Sequence, residues 1–490
     1  MTDPRPEQPQ ASSSTPPPGA PETVATPFAL AQAKEEAEAL AADHDLAIDF
    51  ETVAAILLAL AEEDRTALQA LIEDQHPADL ADLLEQMASH QRRRFVEMLG
   101  ADIDADILSE LQESTRDEVV ALMPAADLAE ALKDLDTDDV VYLVEDLEPE
   151  TQSEVLSGLE AGERVAVERS LSYPEYSAGR LMQREMVTAP AFRTVGEMID
   201  EMRATEDLPQ QFYEIIIVDP AHQPVGKVPL GVLMGNRREV VLEALMETEF
   251  KTFRVDTPQE DVGYAFNQYH LVSAPVVDES GRLAGVITID DAMQALDEEA
   301  EEDILRLGGV GEESLGDAVA RVTWRRFPWL AVNLATAVLA SLVIGLFDAA
   351  IEQVVALAIL MPIVASMGGN AGTQTMTVVV RSLATKDLTR TNTMRIIARE
   401  TLVGLLNGLA FAVIIGGIGY LWFGDATLGL VLAIAMVINM LAAGIAGILI
   451  PLGLDRFGQD PALASSVFVT TVTDVVGFFA FLGIAAAVLL

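Results

Sequence analysis

Hydrophobic residues follow three different patterns along the chain. From about residue 34 to 171, apolar residues recur at i, i+3 and i+4, which predicts short helices with one buried face each. From about 172 to 296, short apolar runs bounded by Gly, Pro and Asp predict strands that alternate with helices. From 324 to 490, long and almost uncharged apolar runs predict helices that span a membrane. The pattern therefore predicts a multidomain membrane protein.

Similar phrases recur in the helical part of the chain. They read ADLADLL at 78–84, ADILSEL at 105–111 and ADLAEAL at 126–132. Each phrase follows a break and carries an acid near a predicted helix N-terminus, where the helix dipole favours negative charge. A stack of short helices in a curved solenoid explains this recurrence, so we expect an α-helical, superhelical N-terminal domain.

The second part carries two copies of one α/β plan. The stretch APVVDESGRLAGVITIDDAMQAL (274–296) predicts a strand, an acidic Gly turn, a strand and a helix capped by Asp290 or Asp291. The stretch EIIIVDPAHQPVGKVPLGVLM (214–234) repeats this plan more weakly. Both copies resemble the CBS-domain half-motif, which implies the usual tandem pair. The acidic stretch that follows predicts one long connecting helix, which breaks at Gly308-Gly309.

The membrane part predicts five spans, since each apolar run is long enough to cross about 30 Å of hydrocarbon. They are expected at 327–347, 353–380, 401–423, 426–453 and 463–490.

Basic residues lie on one side of these spans. They precede the first span and fill the loop between the second and third: Arg321, Arg325, Arg326, Arg381, Lys386, Arg390, Arg395 and Arg399. The linkers at 348–352 and 424–425 carry acids and no bases. The positive-inside rule then predicts a multi-pass protein of the cell (inner) membrane, with the N-terminal part in the cytoplasm and the C-terminus outside.

Charge is segregated in the same way. The formal net charge is −47, yet acidic and basic residues balance from Trp324 onward, so the soluble part carries the whole excess. Such a field repels nucleic acid and attracts cations, although solubility alone also explains an acidic chain. The chain has no cysteine, which excludes thiolate metal sites. Residues 1–33 are polar and Pro-rich, which predicts a disordered tail and not a signal peptide.

Two polar features stand inside the predicted spans. The first is PIVASMGGNAGTQT, which we expect to interrupt the second span and to line a wet cavity. Close packing of helices through small residues is the alternative explanation. Its candidate residues are Pro362, Gly368, Gly369, Asn370, Gly372 and Gln374.

The second polar feature is a stripe on the fifth span. Asp474 shares one helical face with Thr470 and Ser466, one and two turns earlier. A carboxylate inside a bilayer is costly, so it favours a functional role over a structural hydrogen bond to a neighbouring helix. Carboxylate, hydroxyl and amide oxygens are hard ligands that suit magnesium, calcium or manganese. In a symmetric dimer, two such carboxylates would face one axis and one divalent cation.

Three phrases together resemble the MgtE family of magnesium channels. They are YSAGRLM (176–182), PIVASMGGNAGTQTMTVVVRSLATKDL (362–388) and DPALASSVFVTTVTD (460–474). The resemblance implies a helical N domain, tandem α/β CBS domains, a connecting helix and a five-helix transmembrane domain. The implied boundaries are 1–33 for the tail, 34–171 for the N domain, 172–245 and 246–296 for the CBS domains, 297–323 for the connecting (plug) helix and 324–490 for the pore domain.

The same resemblance implies a homodimer in the lipid bilayer, whose fifth spans line a pore. Asp474 matches the family's pore aspartate, which holds a hydrated Mg2+, and Thr470 and Ser466 match pore-lining positions. The family can carry Asn where this chain has Ser466.

The resemblance also implies gating by cytosolic Mg2+, which bridges acidic faces and holds the pore closed. The positions that match sensing acids are Asp106, Asp138, Glu260, Asp291, Glu299 and Glu302, with Asp139 and Asp303 beside them. Further acids expected near Tyr142, Pro258 and His270 are missing here. Each acid on its own is also explained as a solvated surface residue.

Other functions find less support in the sequence. Some CBS pairs bind adenine nucleotides, but Gly231 stands where a basic residue could follow the second strand, which argues against ATP. No nucleophile–base pair, phosphate loop or zinc motif predicts an enzyme. The alternatives that stay open are a channel with Mn2+ or Co2+ as its main cargo and a non-conducting CBS-based cation sensor. The sensor explains Asp474 poorly, because a membrane anchor needs no carboxylate.

Overall fold

The computed structural model describes residues 31, 33–38, 40, 47–205, 208–209, 211–310, 319–388 and 392–489. The chain divides into two compact units, the first formed by Met1–Leu135 with Tyr142–Arg164 and the second by Asp136–Val141 with Val165–Leu490. Apart from residues 31 and 33, the predicted Pro-rich tail at 1–33 lies outside the described residues, and so does Arg390.

The first unit consists of short helices, as the recurring phrases predict. Helices two steps apart along the chain pack on each other: Pro77–Gln86 contacts Ala105–Ser109, and Ala125–Ala131 contacts Pro149–Gly158. This spacing is typical of stacked helix pairs. The other helices in this unit are Phe50–Glu62, Arg65–Ile72, Ser89–Leu99 and Glu113–Leu122, with 3-10 turns at Gly100–Asp102 and Leu132–Asp134.

A buried cation ties helix Glu113–Leu122 to the segment around Tyr142 and Asp146. The Arg116 side chain is only 2% exposed. It lies 2.7 Å from the Asp146 carboxylate and 3.0 Å from Asp117, and its guanidinium stacks 4.2 Å from the centroid of the Tyr142 ring. These contacts compensate the burial of the charge.

The second unit contains two three-stranded sheets with the same topology. In each sheet the first strand pairs parallel with the second, and the second pairs antiparallel with the third. The strands are β1 Thr188–Pro190, β2 Glu214–Val218, β3 Pro224–Pro229, β4 Phe253–Arg254, β5 Ser273–Val277 and β6 Leu283–Thr288. The two copies of one α/β plan are thereby confirmed.

The two sheets meet through a small apolar cluster. Ile216 of the first sheet packs with Leu283 and Val286 of the second. Ala178 and Met182, from the YSAGRLM phrase, are fully buried in the core of the second sheet. The helices of this unit before the membrane part are Val195–Ala204, Leu230–Gly235, Gln259–Tyr269 and Ile289–Leu307, with a 3-10 turn at Leu242–Ala244; Thr137–Val144 and Ala161–Leu171 cross between the two units.

The connecting helix, Ile289–Leu307, begins earlier than the sequence suggests. Its N-cap is Thr288, not Asp290 or Asp291, and both acids lie in the first turn. The predicted cap is wrong because strand β6 runs directly into the helix and leaves no residue for a separate turn.

Five helices are long and apolar enough to cross a membrane, which confirms the predicted number among the described residues. We refer to them as the first to fifth spans: Val319–Gly345, Ala356–Ala384, Thr393–Phe423, Ala426–Arg456 and Pro461–Leu489, with a short helix Asp348–Gln353 before the second. The expected interruption of the second span is wrong, because its helix is continuous through Pro362 and the glycines.

The fourth span is the centre of this bundle. In its apolar window 56% of the residues are buried within the chain, against 6% in the first span. It packs closely on the third span through glycines: a Cβ at Gly404 would lie 2.9 Å from the Met440 carbonyl oxygen, and one at Gly444 would lie 3.1 Å from that of Glu400. Small residues therefore allow these backbones to approach, as is common between membrane helices.

We predict that Gly404→Ala lowers the melting temperature of the detergent-solubilised protein. The added methyl group meets a backbone carbonyl that cannot rotate away, and overpacking of this kind costs about 1–3 kcal/mol. The control is Gly417→Ala in the same span, where a Cβ meets no atom within 4 Å. Equal melting temperatures for the two variants would contradict the close packing.

Candidate functional site

Two neighbouring faces of the fifth span have different surroundings. Val469 and Thr473 are fully buried and Gly477 is buried beside them, so this face packs inside the chain. Ser466, Thr470 and Asp474 lie on a face rotated by about 100° and are only partly buried. The structure therefore brings the three predicted pore residues together on one stripe, which we call the Asp474 stripe.

The Asp474 stripe offers oxygen atoms to a ligand. The Thr470 hydroxyl donates to the Ser466 carbonyl at 2.8 Å, which leaves the hydroxyl oxygen free to accept a hydrogen bond. Among the residues that the structure describes, no cationic side chain faces Asp474. A hydroxyl and a carboxylate so arranged can accept hydrogen bonds from the water shell of a cation.

The second span also has two faces. Gly368 and Gly372 are buried, whereas a polar face is exposed: Ser366, Asn370, Thr373, Gln374 and Thr377, with Pro362 exposed one turn earlier and Gly369 partly buried. A Cβ at Gly372 would lie 2.5 Å from Val469 of the fifth span. The glycines thus serve close packing, which was the alternative explanation of this phrase, and the amides lie on the other face.

The sequence reasoning overlooked one polar residue in the fourth span. Asn439 is completely buried, and its amide nitrogen donates to the Val364 carbonyl of the second span at 2.7 Å. The signal was available, because Asn439 stands in a long apolar run as Asp474 does.

Two of the predicted sensing acids form a pair in the second unit. Asp138 is buried and interacts with Asp291, whose carboxylate accepts a hydrogen bond from the Thr288 hydroxyl at 2.6 Å. Burial, and after it the charge of Asp291, raise the pKa of Asp138 well above its usual range. Burial likewise raises the pKa of Asp291 to about 6, although the Thr288 hydrogen bond opposes this shift. Both carboxylates therefore demand a proton or another cation.

A second group of acids surrounds the end of the connecting helix. Partial burial, and after it the charge of Glu299, raise the pKa of Glu260, while Lys386 opposes the shift. Burial, followed by the charges of Asp460 and Glu299, raises the pKa of Asp303. We call Glu260, Glu299, Asp303 and Asp460 the connecting-helix acids. Carboxylates that lie this close together repel one another, so positive charge nearby stabilises the group.

The remaining predicted sensing acids have separate surroundings. Glu302 forms an ion pair with Arg306, one turn later. Asp106 lies exposed in the first turn of helix Ala105–Ser109 in the first unit. Within the described ranges, no three His, Asp or Glu side chains converge closely enough to hold a bare metal ion. Contacts to a hydrated cation need no such convergence.

Ion pairs and an apolar contact connect the soluble part of the second unit to the spans. Arg306 lies 2.6 Å from the Asp460 carboxylate, which also accepts a hydrogen bond from the Ala462 amide at the start of the fifth span. Leu307 packs against an apolar cluster of the second and fifth spans. Lys386, after the second span, pairs with Asp261 of the second α/β domain. These contacts join the connecting helix and the second α/β domain to the second and fifth spans.

A cleft of about 740 Å3 lies between the two α/β domains. Glu214 and Lys227 form a partly buried ion pair in its wall at 2.8 Å. Glu247 and Glu249 also line it, whereas Lys251 is its other lysine. The lining therefore mixes three carboxylates with two lysines, and the prediction against ATP stays a prediction.

Comparison with known proteins gives matches along most of the chain. A family described as divalent cation transporter matches residues 361–484, the MgtE intracellular N domain matches 75–176 and the CBS domain matches 241–298. The magnesium transporter MgtE of Thermus thermophilus is 33% identical over 450 residues, which cover 88% of this chain and 97% of that protein. The magnesium transporter MgtE of Bacillus subtilis is 29% identical over 438 residues, which cover 89% and 97%.

The matches also include a solved structure. The cytosolic domain of the Mg2+ channel MgtE in complex with ATP is 29% identical, with a TM-score of 0.46, and the match covers 49% of this chain and 98% of that one.

We predict that the Asp138–Asp291 contact strengthens as the pH falls. Because the folded-state pKa of Asp291 is about 6 against an ordinary 3.8, the folded contact takes up protons in this window. Its contribution to stability is complete below the ordinary value and is lost as the pH rises through the folded value, by about 3 kcal/mol in total.

Hydrogen–deuterium exchange of helix Thr137–Val144 without divalent cations, corrected for intrinsic rates, measures this effect. In the wild type we expect this helix to exchange more slowly at about pH 5 than at about pH 7. Asp291→Asn should reduce this difference in exchange rate, since the amide cannot ionise. Asp297→Asn, an exposed acid of the same helix as Asp291, is the control. Wild-type pH dependence in Asp291→Asn would contradict the assignment.

Proposed function

Since this chain belongs to the MgtE family of divalent cation transporters, we propose that it is a Mg2+ channel gated by cytosolic Mg2+. The observation that carries the proposal is the Asp474 stripe, a carboxylate with two hydroxyls on a partly exposed face of an apolar helix. The relatives named as magnesium transporters support Mg2+ as the cargo. Hard oxygen ligands fit Mg2+, Mn2+ or Ca2+ better than soft metals.

The ion passes as a hydrated cation in this proposal. Mg2+ gives up its waters reluctantly, so a pore that supplies hydrogen-bond acceptors to the water shell avoids the cost of dehydration. The Thr470 hydroxyl and the Ser466 side chain line the path on the cytoplasmic side of Asp474. Ser466 is shorter than the Asn that the family can carry, so it leaves more room at this level of the pore.

The functional unit that we propose is a homodimer. The polar face of the second span and the Asp474 stripe are both left open by a single chain. Lipid cannot satisfy amides, hydroxyls and a carboxylate, so these faces require water or a second copy. A two-fold axis beside the fifth spans would place a second copy and a water-filled path against these faces. Two Asp474 carboxylates would then neutralise one divalent cation.

Gating in this proposal depends on the repulsion among acids. Asp138 faces Asp291, and Glu260 faces Glu299, so a cation at either place lowers the free energy of the compact arrangement. The contact between Arg306 and Asp460 carries this preference to the fifth span. Glu302 belongs to the same helix end, and Asp106 is included from the family resemblance alone.

The proposed orientation places the soluble part and the acids in the cytoplasm, with the C-terminus outside. The basic residues before the first span and after the second support it. Uptake then raises the Mg2+ concentration on the side where the acids lie, so that closure follows accumulation.

We predict that Asp474→Ala reduces Mg2+ flux to the level of protein-free liposomes, because the cation loses its only charged ligand in the fifth span. The control is Asp348→Ala, which removes an exposed carboxylate of the membrane part outside the five spans. Undiminished flux in Asp474→Ala would refute the pore assignment. A wild-type protein that passes no ion would support the non-conducting sensor, and a preference for Mn2+ or Co2+ in the same assay would change the cargo.

We predict that Mg2+ protects the soluble part of the wild-type protein from proteolysis and that Glu299→Ala/Glu302→Ala weakens this protection. The double variant removes two acids of the connecting helix and with them part of the repulsion that Mg2+ relieves. Asp297→Ala/Glu301→Ala removes two exposed acids of the same helix and serves as the matched control. Full protection of the first variant would rule out a sensing role for these acids.

A further inference from the structure

Asn439 occupies a point where three spans meet. It lies in the fourth span and its side chain is fully buried. A Cβ at Gly368 of the second span would lie 2.2 Å from its amide nitrogen, and one at Gly477 of the fifth span would lie 2.8 Å from the same atom. The amide therefore fills the space that two glycines leave open on two different helices.

The two polar atoms of Asn439 are unequally satisfied. Its nitrogen donates to the Val364 carbonyl, but a helix already provides that carbonyl with the amide of residue 368. Its oxygen is buried and has no hydrogen-bond partner among the described residues. An apolar side chain of similar volume would avoid this unpaired oxygen.

The location of Gly477 connects Asn439 with the Asp474 stripe. Gly477 follows Asp474 by three residues and continues the buried face of Val469 and Thr473. A rotation of the fifth span about its axis would break the contact between Gly477 and the Asn439 amide. The same rotation would change the direction in which Asp474 points. The hydrogen bond to Val364 fixes the amide, since it ties the same side chain to the second span.

We propose that Asn439 is a positioning residue that sets the rotation of the fifth span and thereby aims Ser466, Thr470 and Asp474 at the pore. It acts through Gly477 and Val364 and does not touch the ion. The inference rests on the proposed channel function for its consequence, but the placement of the helix can be tested without ion flux.

The chain has no cysteine, so single cysteines report accessibility without further changes. Thr470→Cys and Thr473→Cys are introduced separately into the full-length protein in liposomes without Mg2+, and each is treated with a charged methanethiosulfonate. With Asn439 in place, we expect Thr470→Cys to react and the buried Thr473→Cys to react about tenfold more slowly or not at all. With Asn439→Leu, we expect this difference to be largely lost.

The matched control is Asn407→Leu, which replaces an exposed asparagine of the third span and should leave the difference unchanged. An unchanged difference in Asn439→Leu would overturn the inference, even if its melting temperature fell, because a packing role alone changes stability and not the face presented. If Asn439→Leu does not fold, Gly368→Ala/Asn439→Ala refills the space without the amide, and the same criterion applies.

Mg2+ flux in the same liposomes separates the two proposals. If the wild type conducts Mg2+ and Asn439→Leu leaves the cysteine reactivity unchanged, the positioning role is overturned and the channel function stands. A wild type without flux overturns the channel function, while a lost reactivity difference still supports the positioning of the helix.

Discussion

The close packing of the fifth span on Gly372 of the second span and on Asn439 of the fourth decides which of its faces remains open. Val469 packs directly on Gly372, and Asn439 packs directly on Gly368. A methyl group on either glycine would lie too close to these side chains. Once Val469, Thr473 and Gly477 are buried, helical geometry leaves Asp474 on the neighbouring face. The glycines thus determine the direction of the carboxylate, although they contribute no ligand.

The sequence predicts this architecture well where a pattern is local. The spans follow from apolar length, the stripe follows from the spacing of Ser466, Thr470 and Asp474, and the two sheets follow from alternating runs and turns. The interruption of the second span was predicted wrongly, because a glycine in a membrane helix can serve a neighbouring helix instead of breaking its own. Which neighbour it serves depends on tertiary packing.

Contacts between distant residues could not be predicted in this way. Arg306 and Asp460 are 154 positions apart, and Lys386 and Asp261 are 125 apart. No periodicity indicates that these charges meet. The pair of Asp138 and Asp291 is similar: each acid alone reads as a surface residue, and it is their burial in the folded chain that raises both pKa values.

These contacts also bear on the acids that the chain lacks near Tyr142, Pro258 and His270. Where acids are crowded, the charge that holds the helices together comes from a bound cation or from a basic side chain. Here the charge of Lys386 favours the ionised form of Glu260, and Arg306 pairs with both Glu302 and Asp460. We infer that the chain's own cations supply part of the attraction that fixes the connecting helix to the fifth span. A smaller share of the closing free energy then depends on Mg2+, and that share is concentrated at Asp138 and Asp291, where the described residues provide no basic partner.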